Sequence, residues 1–155
     1  MSATRRHLLL AVLGASALAS SGCFFRGPSA PEPIELTLQA SARLNPDDAS
    51  QSLPTVLRIL QLKSGRKMEQ AEFTRVYRDA KEVLGEDLLA VDELVIGPGE
   101  TVKRKLDRQE GAAAVAVVAL FRRPTGFSWR VLRELPKGGA AKLSVTVEGY
   151  RVELR

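Results

Sequence analysis

Three adjacent carboxylate pairs are the first candidates for chemistry: Asp47 with Asp48, Glu86 with Asp87, and Asp92 with Glu93. Neighbours on an extended chain point to opposite faces, so adjacency alone makes none of them an acid–base dyad. A calcium loop needs several spaced oxygen ligands and a turn glycine, which no such pair supplies by itself. The chain has one cysteine, Cys23, and one histidine, His7, both near the N-terminus. A domain that begins after them has neither residue. Ser-His-Asp and Cys-His catalysis are therefore excluded there, as are Cys/His zinc sites of ordinary spacing. No phosphate-cradling glycine loop of the nucleotide-binding kind is present. No cofactor and no metal are expected, and the chain reads as a binder or structural part rather than an enzyme.

Cys23 closes the stretch "LASSGC" at the end of an apolar segment. Arg5, Arg6 and His7 precede the run Leu8 to Ala19, whose dozen residues would make a helix about 18 Å long, short of a hydrocarbon core roughly 30 Å thick. That is the architecture of an export signal. Ser21, Gly22 and Cys23 match the end of a bacterial lipoprotein signal, with Ser20 where Leu is usual. The "ALA" at Ala17 to Ala19 instead offers a site for ordinary signal peptidase, and a cytoplasmic chain with an unusual N-terminus is the third reading. An unpaired thiol in an oxidising compartment is a liability, which favours acylation of Cys23 over simple secretion. The segment after it, "FFRGPSAPEP", carries Pro28, Pro31 and Pro33 and reads as an extended tether reaching roughly 30 Å. The chain thus divides into a signal at 1–22, a lipidated cysteine with tether at 23–33, and one domain at 34–155.

Removing residues 1–22 leaves 21 basic against 18 acidic residues, too slight an excess to imply a polyanionic partner. The clusters Lys103 to Lys105 and Arg122 with Arg123 read as solvated strand ends, and no nucleic acid is expected.

Periodicity describes what must position any binding residues. Ile34, Leu36, Leu38, Ala40 and Ala42 alternate with polar residues, the pattern of a half-buried strand. "TVLRILQLK", Thr55 to Lys63, is apolar on both faces apart from Arg58 and Gln61, as in a central strand. Between them lies a loop of turn-forming residues, too long for an ordinary hairpin between antiparallel strands. From Met68 to Leu84 the period becomes helical, with Phe73, Val76, Tyr77, Ala80 and Leu84 on the core face and Gly85 as the C-terminal cap. Strands then return at Leu88 to Ile96, at Thr101 to Leu106 after the turn "GPGE", and at Ala112 to Phe121. The next, Phe127 to Leu135, sets Phe127, Trp129, Val131 and Leu135 on one side. Over Leu143 to Leu154 the buried parity switches across Gly149, as a bulge would produce. Seven or eight short strands and one helix make a mainly β sandwich with a helical insertion after the second strand.

Several pieces in this order resemble the outer-membrane lipoprotein of the bacterial type VI secretion system, the TssJ family. They are the lipoprotein-like signal, "LNPD" at Leu44 to Asp47, "VLRILQLK" at Val56 to Lys63, "EFTRVYRD" at Glu72 to Asp79, "LGEDLLAVDEL" at Leu84 to Leu94, "PGE" at Pro98 to Glu100, and Trp129 with Arg130. The resemblance implies a transthyretin-like sandwich, a lipid anchor on Cys23 in the inner leaflet of the outer membrane, and a periplasmic location. It also implies binding to the periplasmic C-terminal domain of an inner-membrane partner, TssM. The family's contact loop maps onto Leu44, Asn45, Pro46, Asp47, Asp48, Ala49, Ser50, Gln51, Ser52, Leu53 and Pro54. That is the overlong loop, and loops on rigid sandwiches often carry recognition. The alternative is an exported, lipid-anchored sandwich that binds a carbohydrate or other small ligand, which would want several exposed aromatics.

Overall fold

The computed structural model describes residues 32–155. The signal and Cys23 lie outside the described residues, as does most of the tether. The strands are β1 (Pro33–Leu44), β2 (Thr55–Leu62), β3 (Leu88–Ile96), β4 (Thr101–Asp107), β5 (Ala114–Ala119), β6 (Arg130–Glu134), β7 (Ala141–Gly149) and β8 (Arg151–Leu154). One four-stranded sheet has the order β4-β1-β7-β8 and the other β3-β2-β5-β6. β1 pairs parallel with β7, and the remaining pairs are antiparallel. The expected sandwich of seven or eight strands is thus present, with eight.

Alternation places the core between the sheets. Ile34, Leu36, Leu38 and Ala40 of β1 and Val145 and Val147 of β7 face Leu57 and Ile59 of β2 and Val117 of β5, all buried. β5 is buried along its whole length, as a central strand under a second layer must be. That second layer is the helical insertion after β2, and it differs from one continuous helix. A short α1 (Arg66–Gln70) is followed by an extended joint at Ala71 and Glu72, then by α2 (Phe73–Leu84) and a 3₁₀ turn at Gly85–Asp87. Val76 and Leu84 are buried as the periodicity requires, and Met68 with them, whereas Tyr77, expected on the core face, is 54% exposed. Gly85 caps α2 at φ +58°, its N–H donating to the Lys81 carbonyl.

The parity switch across Gly149 has a different cause from the bulge expected there. β7 and β8 form a hairpin, with Val147 opposite Val152 and Glu148 opposite Arg151. A two-residue turn, Gly149 and Tyr150, pairs odd with even positions, so the buried face changes parity with no extra residue. Gly149 takes φ +54°, the positive value that the first central residue of such turns demands. The bulge is in β1 instead, between Ala40 and Leu44, and it turns Ala42 outward.

The sandwich edges are closed by charge. Lys103, Arg104 and Lys105 lie within the edge strand β4 rather than at a strand end, and such charges discourage edge-to-edge pairing. Arg104 reaches across the open side of the sandwich to Asp92 of β3, at 3.7 Å. Buried Gln61 of β2 joins the sheets further along, donating to the Asp107 carbonyl at 3.0 Å and accepting from the Gln109 N–H at 2.8 Å.

Candidate functional site

β1 and β2 belong to different sheets. The segment between them is therefore a crossover from one layer to the other, and this explains part of its length without any function. Stacked sheets lie only about 10 Å apart, which three or four extended residues would span, so the segment remains long for that task.

Its base is a fixed frame. Leu44 and Asn45 are buried, and Asn45 adopts φ +43°. The Asn45 N–H donates to the Gly149 carbonyl at 2.8 Å, and its Oδ1 accepts from the Arg122 N–H at 3.0 Å. The Tyr150 hydroxyl donates to the Pro46 carbonyl, with its ring held edge-on by Phe121. On the far arm the Leu53 N–H donates to the Leu44 carbonyl at 3.0 Å, and the Ser52 hydroxyl to the Ala42 carbonyl at 2.7 Å. Asp47 organises the turn itself: its Oδ1 accepts from the Ala49 N–H at 2.9 Å and the Gln51 N–H at 2.8 Å. Pro46, Asp47, Ser52 and Leu53 are half-buried.

The tip is what remains for a partner. Asp48, Ala49, Ser50, Gln51 and Pro54 are exposed. Asp48 pairs with Arg123 and lies 3.9 Å from Arg122, so the "RR" cluster stands beside the loop rather than at a free strand end. Sequence periodicity gave no sign of this, because Arg122 and Arg123 sit in the β5–β6 connection, far along the chain. The same connection holds Phe127, which is 67% exposed. It belongs to the turn before β6 and does not share a buried strand face with Trp129.

Trp129 and Arg130 fasten the helical insertion to this end of the sandwich. Buried Trp129 meets Phe73 of α2 edge-on at 5.4 Å. Arg130 lays its guanidinium over Trp129 at 4.4 Å and over Phe127 at 4.7 Å, and donates to the Ala71 carbonyl at 2.9 Å and to the Glu69 carbonyl. Those carbonyls flank the joint between α1 and α2, where no helical partner is available. Burial lowers the pKa of Arg130, against the raising effect of the Glu69 charge. Arg130→Lys keeps the charge but cannot reach both carbonyls with one planar fork. We expect it to lower the unfolding free energy by about 1–3 kcal/mol, read in urea, with the loss concentrated in hydrogen-exchange protection of the joint.

The acidic pairs are engaged separately. Asp87 pairs with Lys67 at 3.3 Å, Asp92 with Arg104, and Glu93 with Arg58 at 2.7 Å. Among the described residues no cluster of acidic, histidine or cysteine side chains could hold a metal ion. A cleft of about 610 Å³ between the start of the insertion and β6 is lined by Lys63, Arg66, Glu69, Leu132 and Lys137 among others, with no aromatic platform for a sugar ring.

Comparison with known proteins identifies what kind of sandwich this is. Residues 32–150 match the family model described as type VI secretion lipoprotein, VasD, EvfM, TssJ, VC_A0113. The chain belongs to this family. Among solved structures, the type VI secretion lipoprotein TssJ1 from Pseudomonas aeruginosa is 26% identical with a TM-score of 0.74, over 81% of this chain and 95% of that one. Lip from Serratia marcescens, a membrane-bound component of the type VI secretion system, is 24% identical with a TM-score of 0.75, over 81% and 96%. A chain from a type VI membrane complex is 24% identical with a TM-score of 0.74, over 81% and 98%. None of the curated proteins compared matches. The sandwich with its insertion after β2 is thus a type VI secretion lipoprotein fold, and the crossover loop is a feature mounted on it.

Proposed function

We propose that this lipoprotein is anchored by acyl chains on Cys23 to the inner leaflet of the outer membrane, faces the periplasm, and holds the periplasmic C-terminal domain of TssM through the tip of the Leu44–Pro54 loop. The role is mechanical: it ties an inner-membrane partner to the outer membrane and catalyses nothing. The observation that carries the reading is the layout of β1. Its first residue, Pro33, is where the tether enters, and its last, Leu44, begins the loop. At about 3.3 Å per residue the strand separates the two ends by roughly 35 Å. A chain fixed at Cys23 would therefore present the loop away from the lipid, on a frame already ordered before binding. Preordering lowers the entropy cost of association.

The tip can be changed without touching the frame. Asp48→Ala with Gln51→Ala removes two exposed side chains and should weaken association with the partner's periplasmic domain by about tenfold or more, the scale of a single hot spot. Thermal unfolding should stay where it was. Unchanged affinity in a titration would take the tip out of the interface. The anchor is tested separately, since two or more acyl chains give stable attachment where one is marginal. Cys23→Ser should abolish incorporation of an alkyne-tagged fatty acid in growing cells, and labelling that persists would mean that the lipid sits elsewhere than on Cys23.

A further inference from the structure

The helical insertion covers only part of the outer face of its sheet. Register places the exposed face in rows across the strands: Val91 opposite Leu60, Glu93 opposite Arg58, and Val95 opposite Val56. The row nearest the loop has no cover. Val95 is 62% exposed and Val56 half-buried, and Leu120, whose N–H donates to the Val56 carbonyl, continues the row. Phe127 is exposed in the turn before β6, its ring beneath the guanidinium of Arg130, which register sets opposite Val118 in the next row. The next row holds Arg58 and Glu93, which pair with each other, and a second Arg58 nitrogen donates to the Tyr77 carbonyl at 3.2 Å. Tyr77, 54% exposed, stands at that border. An apolar strip thus runs across the sheet beside a charge pair that is already neutralised.

We infer that this strip, Val95, Val56 and Leu120, together with the exposed Phe127, is a second docking surface for the same partner domain, continuous with the loop tip; the inference rests on the function proposed above. Val56 is the second residue after the loop, and Phe127 shares a connection with Arg123, which pairs with Asp48 of the tip. One protein surface seated on the tip would reach both. A lipid surface would not, because the strip lies at the end of the sandwich away from Pro33. Exposed apolar strips of this kind on a small domain mark contact sites, and a rigid aromatic stacked on Arg is a favoured anchor at protein interfaces. The occupant is therefore an apolar protein surface with few charges at its centre.

The test uses the mature lipoprotein in detergent and the partner's periplasmic domain. Val95→Asp and Phe127→Ala should each weaken association by about tenfold or more, with unfolding midpoints close to wild type because both side chains are exposed. A photocrosslinking residue at position 95, which does not depend on the Asp substitution being tolerated, should capture the partner. If the loop-tip variant loses affinity while both strip variants bind as wild type and position 95 captures nothing, the inference is overturned and the proposed function stands. Should the wild-type protein form no complex at all, the function falls and this inference with it. Capture of a second copy of the lipoprotein by position 95 would also overturn it, making the strip a self-contact.

Discussion

Replacing Trp129 by Ala should lower the unfolding free energy by about 3–5 kcal/mol, the range for removing a large buried aromatic. For a single domain with a typical stability of about 5–15 kcal/mol, that is the largest loss expected from one side chain here. Three contacts go together. The indole ring is packed edge-on against Phe73, its Nε1–H donates to the Gly126 carbonyl at 2.9 Å, and the Arg130 guanidinium covers its face. Truncation leaves a cavity between the insertion and the sheet, strips Arg130 of its platform and frees the β5–β6 connection. Trp129→Phe separates the terms. It keeps most of the buried ring but leaves the Gly126 carbonyl without its donor, and should cost about 1–2 kcal/mol. Urea unfolding monitored by circular dichroism reads both, and equal losses for the two variants would mean that the hydrogen bond, not the buried ring, dominates. The β5–β6 connection also carries Arg122 and Arg123, so Trp129→Ala should reduce partner association even under conditions where the domain stays folded.

Much of the fold was legible because alternation is a local signal. Ile34, Leu36 and Leu38 announce a half-buried strand, and the doubly apolar run at Ala114–Ala119 announces a central one. Which strands share a sheet is not local. Nothing in residues 33–62 says that β1 and β2 lie in opposite layers, so the loop between them read as an overlong hairpin when it is a crossover. The break between α1 and α2 was hidden for a related reason. Apolar spacing carries through Ala71, while Glu72 leaves the helix with extended φ/ψ of −87° and 142°. The joint is stabilised by Arg130 donating to backbone carbonyls from 59 and 61 residues away. A tertiary hydrogen bond has no period.

The loop was found for its turn-forming residues, and its division into frame and tip was not legible. Asn45 and Asp47 read in sequence as equal to Asp48, all three small, polar and turn-forming. In the structure Asn45 is core and Asp47 is the turn's internal cap, while Asp48 is exposed and paired only with surface arginines. The frame's partners lie far off in sequence: Arg122 is 77 residues from Asn45, and Tyr150 is 104 from Pro46. Phe127 was misread because its spacing from Trp129 fits a strand, and only the turn at Gly126, with φ +51°, puts it outside. The side chains most available to a partner were thus the ones with the weakest local signals.

Asn45 offers the second large effect, and it separates backbone strain from hydrogen bonding. Asn tolerates φ of +43°, whereas Ala in the left-handed region costs about 1–2 kcal/mol. Ala also removes the acceptor of the Arg122 N–H, a part-buried donor, and leaving such a group unpaired costs up to about 1–3 kcal/mol. Asn45→Ala should therefore destabilise the domain by about 2–5 kcal/mol. Asn45→Gly relieves the strain but not the lost acceptor, so it should lie about 1 kcal/mol closer to wild type in urea unfolding. If the two variants unfold together, the positive φ costs nothing and the hydrogen bond carries the whole effect. The same pair bears on function, since both free the arm that ties the Leu44–Pro54 loop to the β5–β6 connection while leaving Asp48 and Gln51 in place. Loss of partner affinity in Asn45→Gly, with the domain folded, would show that the tip works only when held in its frame. Retained affinity would mean that the exposed residues suffice and the frame serves stability alone.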